Sequence, residues 1–114
     1  QVFMNIIVNA MEAMSRRGKL TIKTTSNEKS VVIRFKDTGR GIDADNLIRI
    51  FDPFYTSKKV GSGLGLAICY SIVASHEGTI SVESRKGNGS TFSVELPIRK
   101  PKPVAPIDFL GVKS

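Results

Sequence analysis

The sequence predicts a two-layer α+β sandwich, an antiparallel-rich sheet covered on one face by helices. Three observations carry that expectation. Residues 1–14 and 64–77 are apolar at helical spacing. Four shorter stretches alternate apolar and polar residues and fall into two pairs, each joined by a turn-rich connection. With 114 residues, 40% of them apolar and 24% charged, the chain suffices for one hydrophobic core and not two.

QVFMNIIVNAMEAM (1–14) is apolar nearly all round, which predicts a buried helix. No Ser, Thr, Asp or Asn precedes it as an N-cap, so the sequence is expected to begin inside a helix, with further chain upstream. Gly18 is expected to end it. LTIKTTS (20–26) and VVIRFKD (31–37) flank Asn27-Glu28-Lys29-Ser30 and read as an antiparallel hairpin. DTGRGI (37–42) is a glycine loop. Asp43 is placed as the N-cap of a short helix through about Ile50, with Asp45 in a first turn where the helix dipole favours negative charge. DPFYTSKKVGSG (52–63) reads as loop. LGLAICYSIVASHE (64–77) is helical and stops at Gly78. TISVES (79–84) and STFSVELP (90–97) are strands joined across residues 85–89. The closing RKPKPVAPIDFLGVKS carries Pro101, Pro103 and Pro106 and reads as an extended tail. The expected organisation is a folded domain over 1–98 and a Pro-rich basic tail over 99–114.

The net charge of +7 raises nucleic acid as a partner. Its distribution argues against one. Arg99, Lys100, Lys102 and Lys113 against Asp108 place +3 in the tail, and the other +4 is scattered without a basic stripe or stacked aromatics. A bound polyphosphate would use a few of these cations. No apolar run approaches ~18 residues, and the chain opens directly on helix-like sequence, so neither a membrane span nor a secretory signal is expected. Cys69 is the single cysteine. It excludes an internal disulfide and a thiolate metal cage, and it fits a reducing, cytoplasmic setting. That setting does not distinguish a soluble from a membrane-anchored full-length protein.

Asn5, Asn9 and Glu12 follow steps of four and three, so they share one face of the first helix. Two amides on an apolar helix are costly unless something bonds to them. They form either a buried amide network or a ligand face, where an Asn oxygen suits Mg²⁺ and an Asn nitrogen donates to phosphate. Asp37 stands where a strand runs into the glycine loop. It is either a turn former or an acceptor for the exocyclic amine of adenine, which a guanine oxygen would not satisfy. Gly39 and Gly41 would let the backbone approach a base closely. The run GSGLGL (61–66) lacks both the preceding strand of a Rossmann motif and the Gly-Lys-Ser/Thr ending of a P-loop. What remains is a flexible turn or a phosphate cradle at a helix N-terminus, with Tyr55, Thr56, Ser57, Lys58 and Lys59 beside it.

In this order the pieces resemble the catalytic, ATP-binding domain of two-component sensor histidine kinases, in the superfamily shared with DNA gyrase, the Hsp90 chaperones and MutL. NIIVNAMEAM resembles the N box, DTGRGI the first glycine box, FDPFYTSK the F box and GSGLGLAI the second glycine box, while GNGSTFSVELP is similar to the closing hairpin. The resemblance spans residues 1–97, and the DPFxTxK lid is most similar to the nitrogen-regulation subgroup. It implies the Bergerat fold, with a mixed, mostly antiparallel sheet whose opening strand lies upstream of Gln1.

The resemblance also implies roles. Asn9 would be the Mg²⁺ ligand, with Asn5 beside it at the phosphates and both counted as catalytic. Asp37 would bind the adenine amine, Gly39, Gly41 and Ile42 would line the base pocket, and Ser90 would support the base through its hydroxyl. Phe51 to Gly63 would form a lid. Tyr55, Thr56, Lys58, Gly61, Gly63, Leu64, Gly65 and Leu66 would complete the ATP site. Asn5 stands where the superfamily's hydrolases carry a Glu base, which fits a kinase that spares ATP from water.

The implied reaction moves the γ-phosphoryl group of Mg-ATP to a histidine on a dimerisation domain absent from this chain, leaving ADP, for relay to a response regulator receiver domain. The full-length kinase would be a homodimer, and the isolated domain monomeric. His76 precedes an acidic residue as a phosphoacceptor would, but its place at a helix end suits the dipole instead. The alternatives are a serine kinase of the anti-sigma type and a non-catalytic nucleotide-sensing module of the same fold.

Overall fold

A computed structural model describes residues 1–15, 17–55 and 65–98. Its elements in chain order are α1 (Val2–Ala13), β1 (Leu20–Ser26), β2 (Ser30–Asp37), α2 (Ala44–Leu47), α3 (Gly65–Ser75), β3 (Thr79–Ser84) and β4 (Ser90–Pro97). The strands lie in the order β1-β2-β4-β3, and every pairing among them is antiparallel. The connection through α2 and α3 carries the chain past one strand position, and β4 returns to fill the gap.

Alternation places residues of one parity on one face of a sheet, and the register stacks them into rows. Thr24, Ile33, Val94 and Ile80 form one row, and Ile22, Phe35, Phe92 and Val82 the next. Phe35, Val94, Ile80 and Phe92 from these rows join Ile6 of α1 and Cys69 and Val73 of α3 in the buried core. The opposite face carries Lys23, Arg34, Ser93 and Ser81 in one row and Thr21, Lys36, Thr91 and Glu83 in another, as expected of a face left to water.

The strands match their expected bounds, with β2 starting one residue early because Ser30 pairs with Pro97. The helices depart further. Although α1 is apolar nearly all round, only Ile6 and Ala10 are buried in it, while Phe3, Met4, Val8 and Met11 are exposed. Among the described elements α1 packs on α3 and β2, which cover one stripe of a cylinder and no more. It ends at Ala13 with Met14 as its C-cap, well before Gly18.

The helix expected from Asp43 to Ile50 is the single turn α2. Asp43 has N-cap backbone geometry, but its side chain makes no capping bond, and turns follow as Arg49 N–H and Asp52 N–H bond three residues back. α3 stops at Ser75 rather than Glu77. Glu77 N–H reaches Ala74 O and Gly78 N–H reaches Val73 O, both at 2.9 Å, a Schellman closure with Glu77 in the left-handed position at φ 61°. Gly78 is therefore needed for close approach instead: a Cβ there would meet Glu95 O at 2.5 Å. His76 bonds the Ile72 carbonyl through Nδ1 at 2.8 Å, satisfying one of the last carbonyls of α3.

Phe35 is 2% exposed at the centre of the core and Ile48 is 83% exposed. Phe35→Ala is expected to lower the unfolding free energy by about 3–5 kcal/mol and Ile48→Ala by less than about 0.5 kcal/mol. Urea denaturation of the two variants beside the parent measures both.

Candidate functional site

The core-facing rows end in a polar one. Next to the Phe35 row stand Leu20, Asp37, Ser90 and Ser84, so three polar side chains occupy positions whose phase is otherwise apolar. Asp37 is 3% exposed and Ser90 is 6% exposed. Such burial of an acid requires bonds to its oxygens, and the chain supplies them. Gly39 N–H donates to Asp37 Oδ1 at 2.8 Å and Ser90 N–H donates to the same oxygen at 3.3 Å. Both bonds fall on Oδ1, and Oδ2 receives none among the described residues.

The glycine loop is held at both ends. Gly39 lies against the C-terminus of α1, where a Cβ would come within 2.7 Å of the Ala13 carbonyl oxygen, and Arg40 N–H bonds that oxygen at 3.1 Å. Gly41 has φ 73° and presses on the Arg85 carbonyl, so no side chain fits in its place. On the other side Gly87 N–H donates to Arg40 O at 2.6 Å. Ile42 N–H donates to Ser84 Oγ at 2.8 Å, and Ser84 Oγ also meets Gly89 O at 2.9 Å and Ser90 Oγ at 2.7 Å. The loop after β2 and the β3–β4 turn are thereby one clasped unit. A depression of about 440 Å³ opens at this end of the sheet, with residues of both faces in its wall, Asp37, Ser84 and Ser90 from one and Lys36, Glu83 and Thr91 from the other.

The helical residues form a second group. Asn5 and Asn9 are half-buried on α1. Asn5 Nδ2 donates to Cys69 Sγ at 3.6 Å, and the Cys69 thiol is directed at the Val2 carbonyl at 3.8 Å. Cys69 is completely buried, as expected of a packed residue, and desolvation pushes its thiol above the ordinary range against the pull of the Asn5 bond. It therefore stays a neutral thiol. Gly65 and Leu66 open α3, and Leu66 packs against the core, as do Ile42 and Tyr55. The Arg49 guanidinium sits 4.9 Å from the centre of the Tyr55 ring. Thr56, Lys58, Gly61, Gly63 and Leu64 lie outside the described residues, as does most of the expected lid.

The structure thus joins Asp37, Gly39, Gly41, Ile42 and Ser90 through direct bonds and close contacts. Arg40 N–H to Ala13 O ties this group to α1, and Asn5 to Cys69 ties α1 in turn to α3. The residue absent from the sequence-based set is Ser84. Its signal was its phase, since 80, 82 and 84 share a face and the first two are Ile and Val. Among the described residues no cluster of three His, Cys, Asp or Glu could hold a metal ion, and no helix is long and apolar enough to cross a membrane.

Comparison with known proteins gives a consistent picture. The family model for histidine kinase-, DNA gyrase B- and HSP90-like ATPases matches residues 1–100. Sporulation kinase C of Bacillus subtilis (strain 168) is 46% identical over 99 residues, which cover 87% of this chain and 23% of that protein. Sensor histidine kinase ZraS of Escherichia coli (strain K12) is 43% identical over 98 residues, covering 86% of this chain and 21% of the relative. The chain therefore spans less than a quarter of the length of these two relatives. Among solved structures, the catalytic domain of histidine kinase ThkA superposes with a TM-score of 0.76 at 37% identity, over 85% of this chain and 65% of that one. Mycobacterial sensor histidine kinase MprB gives 0.76 at 25% identity, over 84% and 69%.

Gly41 and Gly87 separate the clasp from backbone strain. Both have φ in the left-handed region, but a Cβ on Gly87 would meet nothing within 4 Å. Gly87→Ala is expected to cost about 1 kcal/mol, and Gly41→Ala at least ~1 kcal/mol more because the loop must leave the Arg85 carbonyl. The difference between the two in thermal or urea unfolding reports the close approach alone.

Proposed function

Because the chain belongs to the histidine kinase-, DNA gyrase B- and HSP90-like ATPases, we propose that it is the ATP-binding catalytic domain of a sensor histidine kinase, residues 1–98, followed by a basic tail over 99–114. The observation that carries the nucleotide reading is the buried Asp37, with Oδ1 satisfied by two backbone donors and Oδ2 receiving none among the described residues. An ionised carboxylate only accepts, so Oδ2 suits the adenine amine. The names of the relatives, sensor histidine kinase and sporulation kinase, support a kinase over a hydrolase.

On this reading the sheet-end row holds the base and the helical group faces the phosphates. Asn5 and Asn9, at i and i+4 of α1, direct neutral carboxamides to one side. Neither takes a proton at neutral pH, so neither carboxamide could act as a general base toward water. Carboxamide oxygens are hard donors that suit Mg²⁺, and without an acidic cage among the described residues the ion would be held by Asn9, phosphate oxygens and water. Bound there, Mg²⁺ would neutralise charge on the phosphates. The amides at the start of α3 add the positive end of a helix dipole.

The acceptor would be a histidine on a dimerisation domain of the same protein, a homodimer that passes the phosphoryl group to a response regulator. What the domain supplies is position and charge neutralisation.

The intact protein given ATP labelled at the γ-phosphate is expected to acquire label that is lost in acid and kept in base, as a phosphoramidate is. Absence of such label would refute the kinase assignment. Asp37→Asn keeps an oxygen for the Gly39 and Ser90 amides but places a donor where Oδ2 stood. It is expected to weaken ATP binding by about 1–3 kcal/mol in calorimetry, with the fold unchanged by circular dichroism. Asn9→Ala is expected to abolish most of the gain in ATP affinity that Mg²⁺ gives the parent, measured by titration with and without a chelator. A parent affinity independent of Mg²⁺ would remove the metal role.

A further inference from the structure

The hydrogen-bond count around Ser84 fixes a proton in the site, given the adenine reading of Asp37. A serine hydroxyl has one proton and two lone pairs. Ser84 Oγ has three partners: Ile42 N–H at 2.8 Å, the Gly89 carbonyl at 2.9 Å and Ser90 Oγ at 2.7 Å. The backbone N–H only donates and the carbonyl only accepts. The single Ser84 proton therefore goes to Gly89 O, whose residue is buried. Ile42 N–H takes one lone pair, and the other is filled by the proton of Ser90. Ser84 is saturated, and Ser90 has no proton left to give.

Beyond these bonds, Asp37 and Ser90 have acceptors only to offer a ligand, namely Asp37 Oδ2 and the lone pairs of Ser90 Oγ. We infer that Ser84 is a positioning residue for base specificity: by holding the Ser90 proton, it makes the sheet end of the pocket complementary to a 6-amino purine and hostile to a 6-oxo purine. A 6-amino group brings two N–H protons to two acceptors. A 6-oxo group brings lone pairs against lone pairs and leaves buried acceptors unpaired, an unfavourable arrangement. Ser84 acts without touching the ligand. Its loss would release the Ser90 proton, which could then turn toward the pocket and donate to an oxo group.

The probes are ATP and inosine triphosphate, which differ at the purine 6-position and its ring-nitrogen proton, titrated calorimetrically into the intact protein. The parent is expected to prefer ATP. Ser84→Ala is expected to reduce the ratio of the two affinities by about tenfold, and Ser84→Thr, which restores a hydroxyl, to return it. Loosening of the fold alone would weaken both nucleotides together and leave the ratio where it was. An unchanged ratio in Ser84→Ala, with ATP still bound, overturns the inference and leaves the adenine reading intact. Equal binding of both nucleotides by the parent overturns the adenine reading and the inference with it. Should Ser84→Ala fail to fold, Ser84→Cys keeps the shape of the side chain, slightly enlarged, with a weakly bonding thiol, and the same shift or its absence decides.

Discussion

One carboxylate oxygen joins three parts of the chain. Asp37 Oδ1 receives the N–H of Gly39 from the loop that follows β2 and the N–H of Ser90 from the first residue of β4. A strand end, a loop and a returning hairpin are thus anchored at a single atom. Charge-assisted bonds of this kind are stronger than neutral ones, and inside a protein their loss exposes the full cost of a buried acceptor. The apolar rows of the sheet make the anchor possible. They exclude water up to the Phe35–Phe92 pair, so that the next row, at the sheet's end, is buried enough to need partners.

The clasp between the two loops follows from that anchor. Once β2 and β4 are aligned at Asp37 and Ser90, the loop leaving β2 must pass the turn entering β4 at backbone distance. The bond from Gly87 N–H to Arg40 O and the contact of Gly41 with the Arg85 carbonyl are that passage. Side chains are excluded by geometry there, which explains glycine in the loop more directly than flexibility does. Because the chain's own groups fill the clasp, the loop is organised before any ligand arrives, and preorganisation lowers the entropy lost on binding.

The strands and the glycine loop at Asp37 were legible in the sequence, because alternation is a local signal and Asp37-Thr38-Gly39-Arg40-Gly41 is a contiguous one. The burial of α1 was not. Periodicity tells which residues are apolar, but not how many neighbours pack around a helix, and Met4, Val8 and Met11 are exposed for that reason. α2 came out short because Asp43 has N-cap geometry without the side-chain bond that makes a cap. The partners of Gly39 and Gly41, Ala13 and Arg85, are distant in sequence, so glycine spacing shows that something approaches but not what. Ser84 was hidden by habit, since a serine in a strand is ordinarily taken as its water-facing residue. Only its phase with Ile80 and Val82 marks it as inward.

The two halves of the site differ in how they are held. The group around Asp37 rests on strand pairing and backbone hydrogen bonds, whose geometry allows little adjustment. The Asn5 group rests on helix packing, and its polar links between α1 and α3 both run through the Cys69 thiol, to the Val2 carbonyl at 3.8 Å and from Asn5 at 3.6 Å. Sulfur is a weak and adaptable acceptor, so this link orients the Asn5 amide without fixing it as the oxygen of Asp37 fixes its donors. On the proposed function, that asymmetry matches the chemistry. The base stays the same through the reaction and is read by the rigid part, whereas the phosphates change in number and charge. The residues that would meet them sit on helices held to one another by side-chain packing, not by a backbone ladder.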